Sequence, residues 1–410
     1  SGDNVGGLEA FSEGMEYDAH GNITGLTRRG KKTSSSWGVT DNLTLTYDGN
    51  RLTGVSETAP DYDFAGSFEY KGARGSQYIY DRNGSLVADM SRGIAYISYD
   101  GCGNPNAIYF TDGSVTKYSY SATGQKLGVE YRVAAPNVSN AFGVEPDALS
   151  QAQTLYAGSK QYGPGGSLIF KDGMTDRYLF DGGYAKATMV SLTNYHFAFY
   201  FYNKDHLGNI REVVNSAGTV CQVTNYYPSG VPYTETNSVM NAGLQPYKYN
   251  GKELDRMHGL DTYDYGARQY NPVTGRWDRM DPLCEKYYSV SPYVYCGGDP
   301  VMYFDPDGRI IRDSKGQIVY VSSGCGTSFQ HPSGSQAWLE IGYIYTDDGQ
   351  PIEVYKNVGG AEKGWDTDCH GFTFADGKYW INNDFIIARA DAQAWNSETE
   401  ERISIHSVEY

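Results

Sequence analysis

The chain has no apolar run near 18 residues, which excludes a membrane-spanning helix from the segment given. It has no Cys-x-x-Cys pair. Its six cysteines, at 102, 221, 284, 296, 325 and 369, show no zinc-finger spacing with histidine, so no metal or other cofactor is expected. That spacing does not ask for disulfides either. Positive charge is scarce: 33 Lys and Arg stand against 49 Asp and Glu, a formal −16, which argues against a nucleic-acid partner. Leu and Ala are sparse in most segments. No signal peptide is legible, and the opening Ser-Gly-Asp-Asn-Val-Gly-Gly reads as an expression scar, so the natural N-terminus is expected upstream and the export route is unread.

What is abundant is tyrosine, 38 of 410 residues, and glycine, 50. Tyrosine favours strands, and glycine supplies turns with positive φ. Together they predict many short strands joined by tight turns. The strands come in units: YDAHGNITGL from Tyr17, YDGNRLTGV from Tyr47, YDRNGSLVA from Tyr80, YDGCGNPNAI from Tyr99 and YSATGQKLGV from Tyr120. Each runs Tyr, a polar residue, a Gly/Asn turn, then an apolar strand alternating with period two. One such unit cannot bury its own apolar face, so the units must stack. The tyrosines read as the inner face and rim of that stack, not as a carbohydrate platform. The stretch from Val133 to Ser159 breaks the rhythm, and Glu145–Tyr156, with acid in its first turn, predicts a short helix.

These units resemble the YD repeats of the Rhs family. The resemblance sharpens at DHLGNIREVVNSAGTV (Asp205–Val220), at KYNGKELDRMHGLDTYDYGARQYNPVTGRWDRMDPL (Lys248–Leu283) and at SPYVYCGGDPVMYFDPDG (Ser291–Gly308), which are similar in order and content to the family's core signature. It implies a mainly β fold: a spiralling YD-repeat shell over 1–204, short enough to be a partial cocoon, a repeat-associated core over 205–308, and a small α+β effector domain over 309–410. His206 in the DHLG element reads as structural. In the family, carboxylates near the two Asp-Pro pairs are implicated in self-cleavage after the DPxG element. That makes Asp281, Asp305, Gly308 and Arg309 candidates. Two carboxylates in one site share a proton, so one serves as acid while the other activates water. Arg309 and Cys284 depart from the family pattern, and Asp-Pro and Asp-Gly are strong turn formers whatever their chemistry.

After Gly308 the style changes. Arg309–Ser323 and Ser335–Val358 each read as strand, turn, strand. Eight Lys and Arg stand against fifteen Asp and Glu from Arg309 on, a poor basis for a nuclease cleft. DCHGF (Asp368–Phe372) resembles the nucleophile element of NlpC/P60 and papain-like cysteine hydrolases. That resemblance places Cys369 at a helix start, where free N–H groups and the helix dipole stabilise a thiolate. His370 is adjacent and points about 100° away on a helix. His331 precedes the cysteine, the wrong order, and reads as a loop residue. His406, in a strand-like context with Tyr410 four residues on, is the expected base. The group orienting its ring is open among Asn382, Asn383, Asp384 and Glu409, with Asn383 and Asp384 preferred. The resemblance further implies a secreted effector delivered into a rival cell, a delivery protein, a cognate immunity protein, and a target-cell protein or peptidoglycan as substrate. The other readings are an adhesive surface protein with an inactive tail, and a toxic tail of different chemistry, nuclease or NAD-consuming.

Overall fold

The computed structural model describes residues 11–33, 36–59, 70–72, 76–147, 151–191, 194–233, 245–284, 290–316, 321–330, 336–345, 351–359 and 380–381. These are almost entirely antiparallel β. Contacts divide the chain into two compact units, one comprising Ser1–Met280 with Tyr293–Val301, the other Asp281–Pro292 with Met302–Tyr410.

The first unit is built on a 17-stranded sheet running from β1 (Ser12–Tyr17) to β17 (Val220–Val223). Each strand pairs antiparallel with its successor, as β2 (Ile23–Lys31) does with β1 and as β9 (Val115–Tyr120), β10 (Lys126–Ala134), β11 (Thr154–Tyr162) and β12 (Leu168–Lys171) do in turn. The period-two pattern decides the faces. Ile23, Leu26, Leu43, Leu45, Leu52, Ile97 and Ile108 form one buried core, with Leu260 from further along the chain packed among them. Each such Leu or Ile contributes roughly 1.5–3 kcal/mol by leaving water.

The links between strands repeat one device, and the sequence unit spells it out. At Asp18, Asp100 and Asp205 the carboxylate folds back over its own turn. Asp205 Oδ1 accepts from the N–H of Leu207 (3.1 Å) and Asn209 (3.1 Å), and Oδ2 accepts from Asn209 Nδ2 (2.9 Å). Asp18 and Asp100 hold Asn22 and Asn104 in the same way. The backbone closes beneath, with Gly208 N–H donating to Asp205 O at φ +79°, a conformation that favours glycine. The Tyr-Asp-x-x-Gly-Asn unit is therefore a turn templated by its own acid. Asp205→Ala is expected to lower stability by about 1–2 kcal/mol through lost hydrogen bonds, read as a shift in the urea midpoint. A midpoint unchanged from wild type would mean that the glycine alone sets the turn.

The expected helix over Glu145–Tyr156 is corrected. Gln151 and Ala152 are helical, with Gln151 N–H on Asp147 O at 3.1 Å, but Thr154–Tyr156 already belong to β11. Pairing of Val133 with Leu155 and Arg132 with Tyr156 outweighs the weak local preference for helix.

Past the sheet, short strands β18 (Asn225–Tyr226) and β19 (Pro232–Tyr233) pair with each other. β20 (Glu253–Asp255), β21 (Thr262–Asp264), β22 (Gln269–Asn271) and β23 (Arg276–Trp277) then form a small meander of buried side chains.

In the second unit, β24 (Tyr303–Phe304) pairs with β25 (Arg312–Asp313), and β26 (Val321–Gln330), β27 (Gln336–Tyr345), β28 (Pro351–Gly359) and β29 (Trp380–Ile381) form an antiparallel sheet. The hairpin expected within Ser335–Val358 is present, with Tyr345 opposite Pro351. A helical part of this domain is not seen among the described residues.

Candidate functional site

Within the first unit, the segment from Tyr247 to Met280 that carries most of the core signature packs on the buried face of the sheet. It is held there by charges taken out of water in pairs. Arg28, inward on β2 and fully buried, is the centre of the first knot. It donates to Glu13 (2.6 Å) and Asp41 (3.3 Å) on the neighbouring strands, to Ser229 Oγ (3.1 Å), and to the carbonyls of Pro272 (3.0 Å) and Val273 (2.8 Å). Glu13 also accepts from Ser229 N–H and Oγ, both at 2.7 Å. A guanidinium suits the position because its fork of five N–H groups satisfies two carboxylates and two carbonyls together. Burial opposes its charge, but the two carboxylates outweigh that and raise its pKa further.

A second knot joins Arg92 to Asp89 (2.5 Å) and to Asp278 (3.1 Å), beside β23. A third gathers Lys126 and Lys160 from the sheet around Glu253 at 3.2 and 2.8 Å, with Asp264 on Lys126 (2.6 Å) and Tyr162 Oη on Glu253 (2.7 Å). Burial works against ionisation of Glu253, yet the two ammonium groups hold its pKa well below the usual carboxylate range. Lys126 and Lys160 are raised in return, the carboxylates overcoming burial. Arg276 completes the set, donating to Asn22 Oδ1 (3.1 Å) and Asn50 O (2.7 Å) while stacked between Tyr47 and Tyr293. Under these lies an aromatic centre. Tyr270 stacks on Tyr295 at 4.0 Å, and the Tyr265 and Tyr295 hydroxyls meet on Asn250 Oδ1 at 2.7 and 2.6 Å.

None of these partnerships was anticipated from sequence. The one available signal was charge on an inward register. Arg28 lies two residues beyond Leu26 on the same strand face, and an arginine there requires buried acids.

The junction residues form turns. Asp305, 1% exposed, accepts at Oδ1 from the N–H groups of Asp307 (3.2 Å), Gly308 (2.7 Å) and Arg309 (3.0 Å), with Gly308 at φ +80°. Asp305, Gly308 and Arg309 are thus brought together in a turn of the same kind as those at Asp18 and Asp205. Asp281 caps another, accepting from Leu283 N–H at 2.8 Å while its own carbonyl accepts from Cys284 N–H. His206 reaches the Val301 carbonyl at 3.2 Å, and the DHLG turn itself is held by Asp205. Cys369, His406, Asn383, Asp384, Asn382, Glu409, His370 and His331 lie outside the described residues. Among the described residues no group of three His, Cys, Asp or Glu can hold a metal ion, and no helix is long and apolar enough to cross a membrane.

No family model matches the chain. Three relatives carry informative names. Salivary gland surface protein 1 of Aedes aegypti is 41% identical over 106 residues, 26% of this chain and 3% of that protein. The tRNA3(Ser)-specific nuclease WapA of Bacillus spizizenii is 26% identical over 300 residues, 72% of this chain and 11% of that protein. Toxin subunit YenC1 of Yersinia entomophaga is 23% identical over 351 residues, 82% of this chain and 33% of that protein. The chain therefore spans from 3% to 33% of the length of these relatives. Among solved structures, the Photorhabdus luminescens Tc holotoxin pore aligns over 72% of this chain and 15% of its own, at 17% identity and a TM-score of 0.45. By sequence the chain is similar to the WapA nuclease and to toxin subunit YenC1 over most of its length at low identity, and that similarity leaves the chemistry of its tail unassigned.

Proposed function

We propose that the chain is the carrier end of a secreted polymorphic toxin, in which a YD-repeat sheet is locked by a core segment and bears a toxic effector after Gly308. The observation that carries this reading is the set of buried charge knots, above all Arg28 with Glu13, Asp41, Ser229 and Val273. A binding or adhesive surface needs its polar groups exposed. Here arginines, lysines and acids of the repeat strands and of the core signature are spent inward, on fixing one segment against the sheet. That is the requirement of a rigid container. Delivery by a partner protein, a cognate immunity protein in the producer, and a target in a rival cell belong to the same proposal.

For the tail, two chemistries stand side by side. The DCHGF element supports a cysteine hydrolase, peptidase or amidase, with Cys369 as nucleophile, His406 as general base and then acid, and Asn383 or Asp384 orienting the ring. The name of the WapA relative supports a nucleic-acid-acting tail instead, against the acidic balance of residues 309–410. Expressing the full chain in bacterial cytoplasm and periplasm, with and without Cys369→Ala, separates them. Growth arrest abolished by the substitution supports the hydrolase. Arrest that survives it removes Cys369 from the chemistry and leaves the nuclease reading.

For the junction, Asp305 is read as the template of its turn, its carboxylate committed to three backbone N–H groups. The purified chain is expected to give one intact species by mass spectrometry. A species ending at Gly308 would restore self-cleavage between Gly308 and Arg309, with Asp281 and Asp305 as the acid and base.

A further inference from the structure

Strand β3 (Trp37–Asp48) buries Leu43 and Leu45 and turns Asn42, Thr44 and Thr46 to solvent. That is the pattern of an antiparallel sheet with one wet face. β15 (Asn194–Lys204) departs from it. From Tyr195 to Tyr202 it reads Tyr-His-Phe-Ala-Phe-Tyr-Phe-Tyr. Tyr200 and Tyr202 face the core and pack with Tyr184, Ile210, Val213 and Tyr247. Phe197, Phe199 and Phe201 alternate with them onto the other face, where they are 42, 47 and 46% exposed.

The neighbouring strands extend that face. Register sets Phe199 level with Ala185 on β14 (Gly183–Ser191), and Ala185 level with Tyr178 on β13 (Met174–Phe180). Phe201 is level with Gly183, and Gly183 with Phe180. On the other side Phe201 pairs with Val214 on β16 (Ile210–Asn215), and Val214 with Val220 on β17. Met189 lies opposite Tyr195 at the end of β14. The Phe180 ring centre is 6.4 Å from that of Phe199 and 6.0 Å from that of Phe201, and Ala185 and Ala187 between the rows are buried. The result is a continuous aromatic surface.

Tyr178, Met189, Phe197, Phe199, Phe201 and Val220 are each 42–49% exposed, and none is charged. About half of an aromatic side chain is roughly 75–125 Å², so together they leave about 500 Å² of apolar surface in water. That is as large as the largest patch on a typical monomer, and such patches are often functional. Homodimer interfaces are about 65% apolar, so an apolar core of this size corresponds to about 800 Å² per copy, the area of a standard stable interface. We propose that this face packs against the same face of a second copy of the chain, sheet on sheet about a two-fold axis. An uncharged apolar face is complementary to itself, as an isologous contact requires. A charged partner finds no group among these six side chains to pair with. The formal −16 of each copy opposes the contact, so salt should tighten it.

Sedimentation velocity of the full chain, from about 1 to 100 μM, tests this. A concentration-dependent dimer is expected, tighter in about 0.5 M than in about 0.05 M NaCl. Phe199→Asp and, on a different strand, Tyr178→Asp should each weaken it by about 100-fold or more, because the two-fold axis counts each change twice. Both positions are exposed, so the urea midpoint should move no more than for an ordinary surface change. Thr44→Asp adds the same charge on the outward, polar side of β3 and should leave the dimer intact. A wild type that stays monomeric at about 100 μM would overturn the proposal. So would a dimer that both aromatic substitutions leave intact, one that Thr44→Asp weakens equally, or one that salt weakens. Monomers that float with neutral phosphatidylcholine vesicles would overturn it too, and would give the face to a membrane. Assembly that grows past two copies would overturn the two-fold contact.

Discussion

Arg28→Ala should destabilise the first unit by about 3–5 kcal/mol, the range for removing one partner of a buried ion pair. The size follows from what stays behind. Glu13 and Asp41 keep their carboxylates in the interior with no cation, and the carbonyls of Pro272 and Val273 lose their donors. Water cannot reach them without opening the packing between sheet and core. Arg28→Lys should recover only part of the loss, because one ammonium cannot replace a fork that spans five acceptors. Equilibrium urea unfolding gives the energy, and amide exchange gives the location. Protection should fall first around Ser229 and Val273, some 200 residues away in sequence, since those are the groups that Arg28 holds. A loss below about 1 kcal/mol, the scale of an exposed pair, would mean that the knot is wet and does not lock the core.

Glu253→Gln should cost a similar 3–5 kcal/mol near neutral pH, and should change the sign of the alkaline pH dependence. In the wild type, Glu253 has a folded pKa below its unfolded value. Its contribution is therefore present above about pH 4.3 and lost only as pH falls through the lowered value. Lys126 and Lys160 are raised, so theirs is present below about pH 10.4 and lost as pH rises beyond it. Between those limits the cluster contributes no slope. In the variant, Lys126 keeps Asp264, but the half-buried Lys160 loses the carboxylate that held it. Its folded pKa then falls below the unfolded one, the unfolded chain binds more protons, and stability rises with pH over about pH 8–10. Urea midpoints across that range read the effect directly. A variant whose stability stays parallel to the wild type would show that Lys160 is not dependent on Glu253.

Local features were legible in the sequence, and the reason is physical. A Tyr-Asp-x-x-Gly-Asn unit contains its whole turn: the acid, the N–H groups it accepts from, and the glycine at positive φ all lie within five residues. Period-two alternation then assigns the faces, and a mainly β chain follows from the count of such units. The helix over Glu145–Tyr156 failed beyond Ala152 because strand pairing with Arg132 and Val133 is a long-range term that no local propensity contains. The charge knots were illegible for the same reason. Arg28 and Val273 meet across 245 positions, and nothing near either one names the other. Asp281 and Asp305 each accept backbone N–H groups within their own turns, and the self-cleavage their motif suggests is decided by the mass of the purified chain. The candidate nucleophile, Cys369, and its base, His406, lie outside the described residues, so the site rests on the DCHGF element and on the order of the two residues.

We propose that the described sheet and core are a carrier and that the toxic activity resides after Gly308. The direct test is growth of a bacterial host expressing either the full chain or the chain ended at Gly308, each directed to cytoplasm and to periplasm. Arrest is expected in at least one compartment with the full chain, and normal growth with the shortened one. Normal growth with both, from soluble and folded protein, would contradict it and favour a structural surface protein.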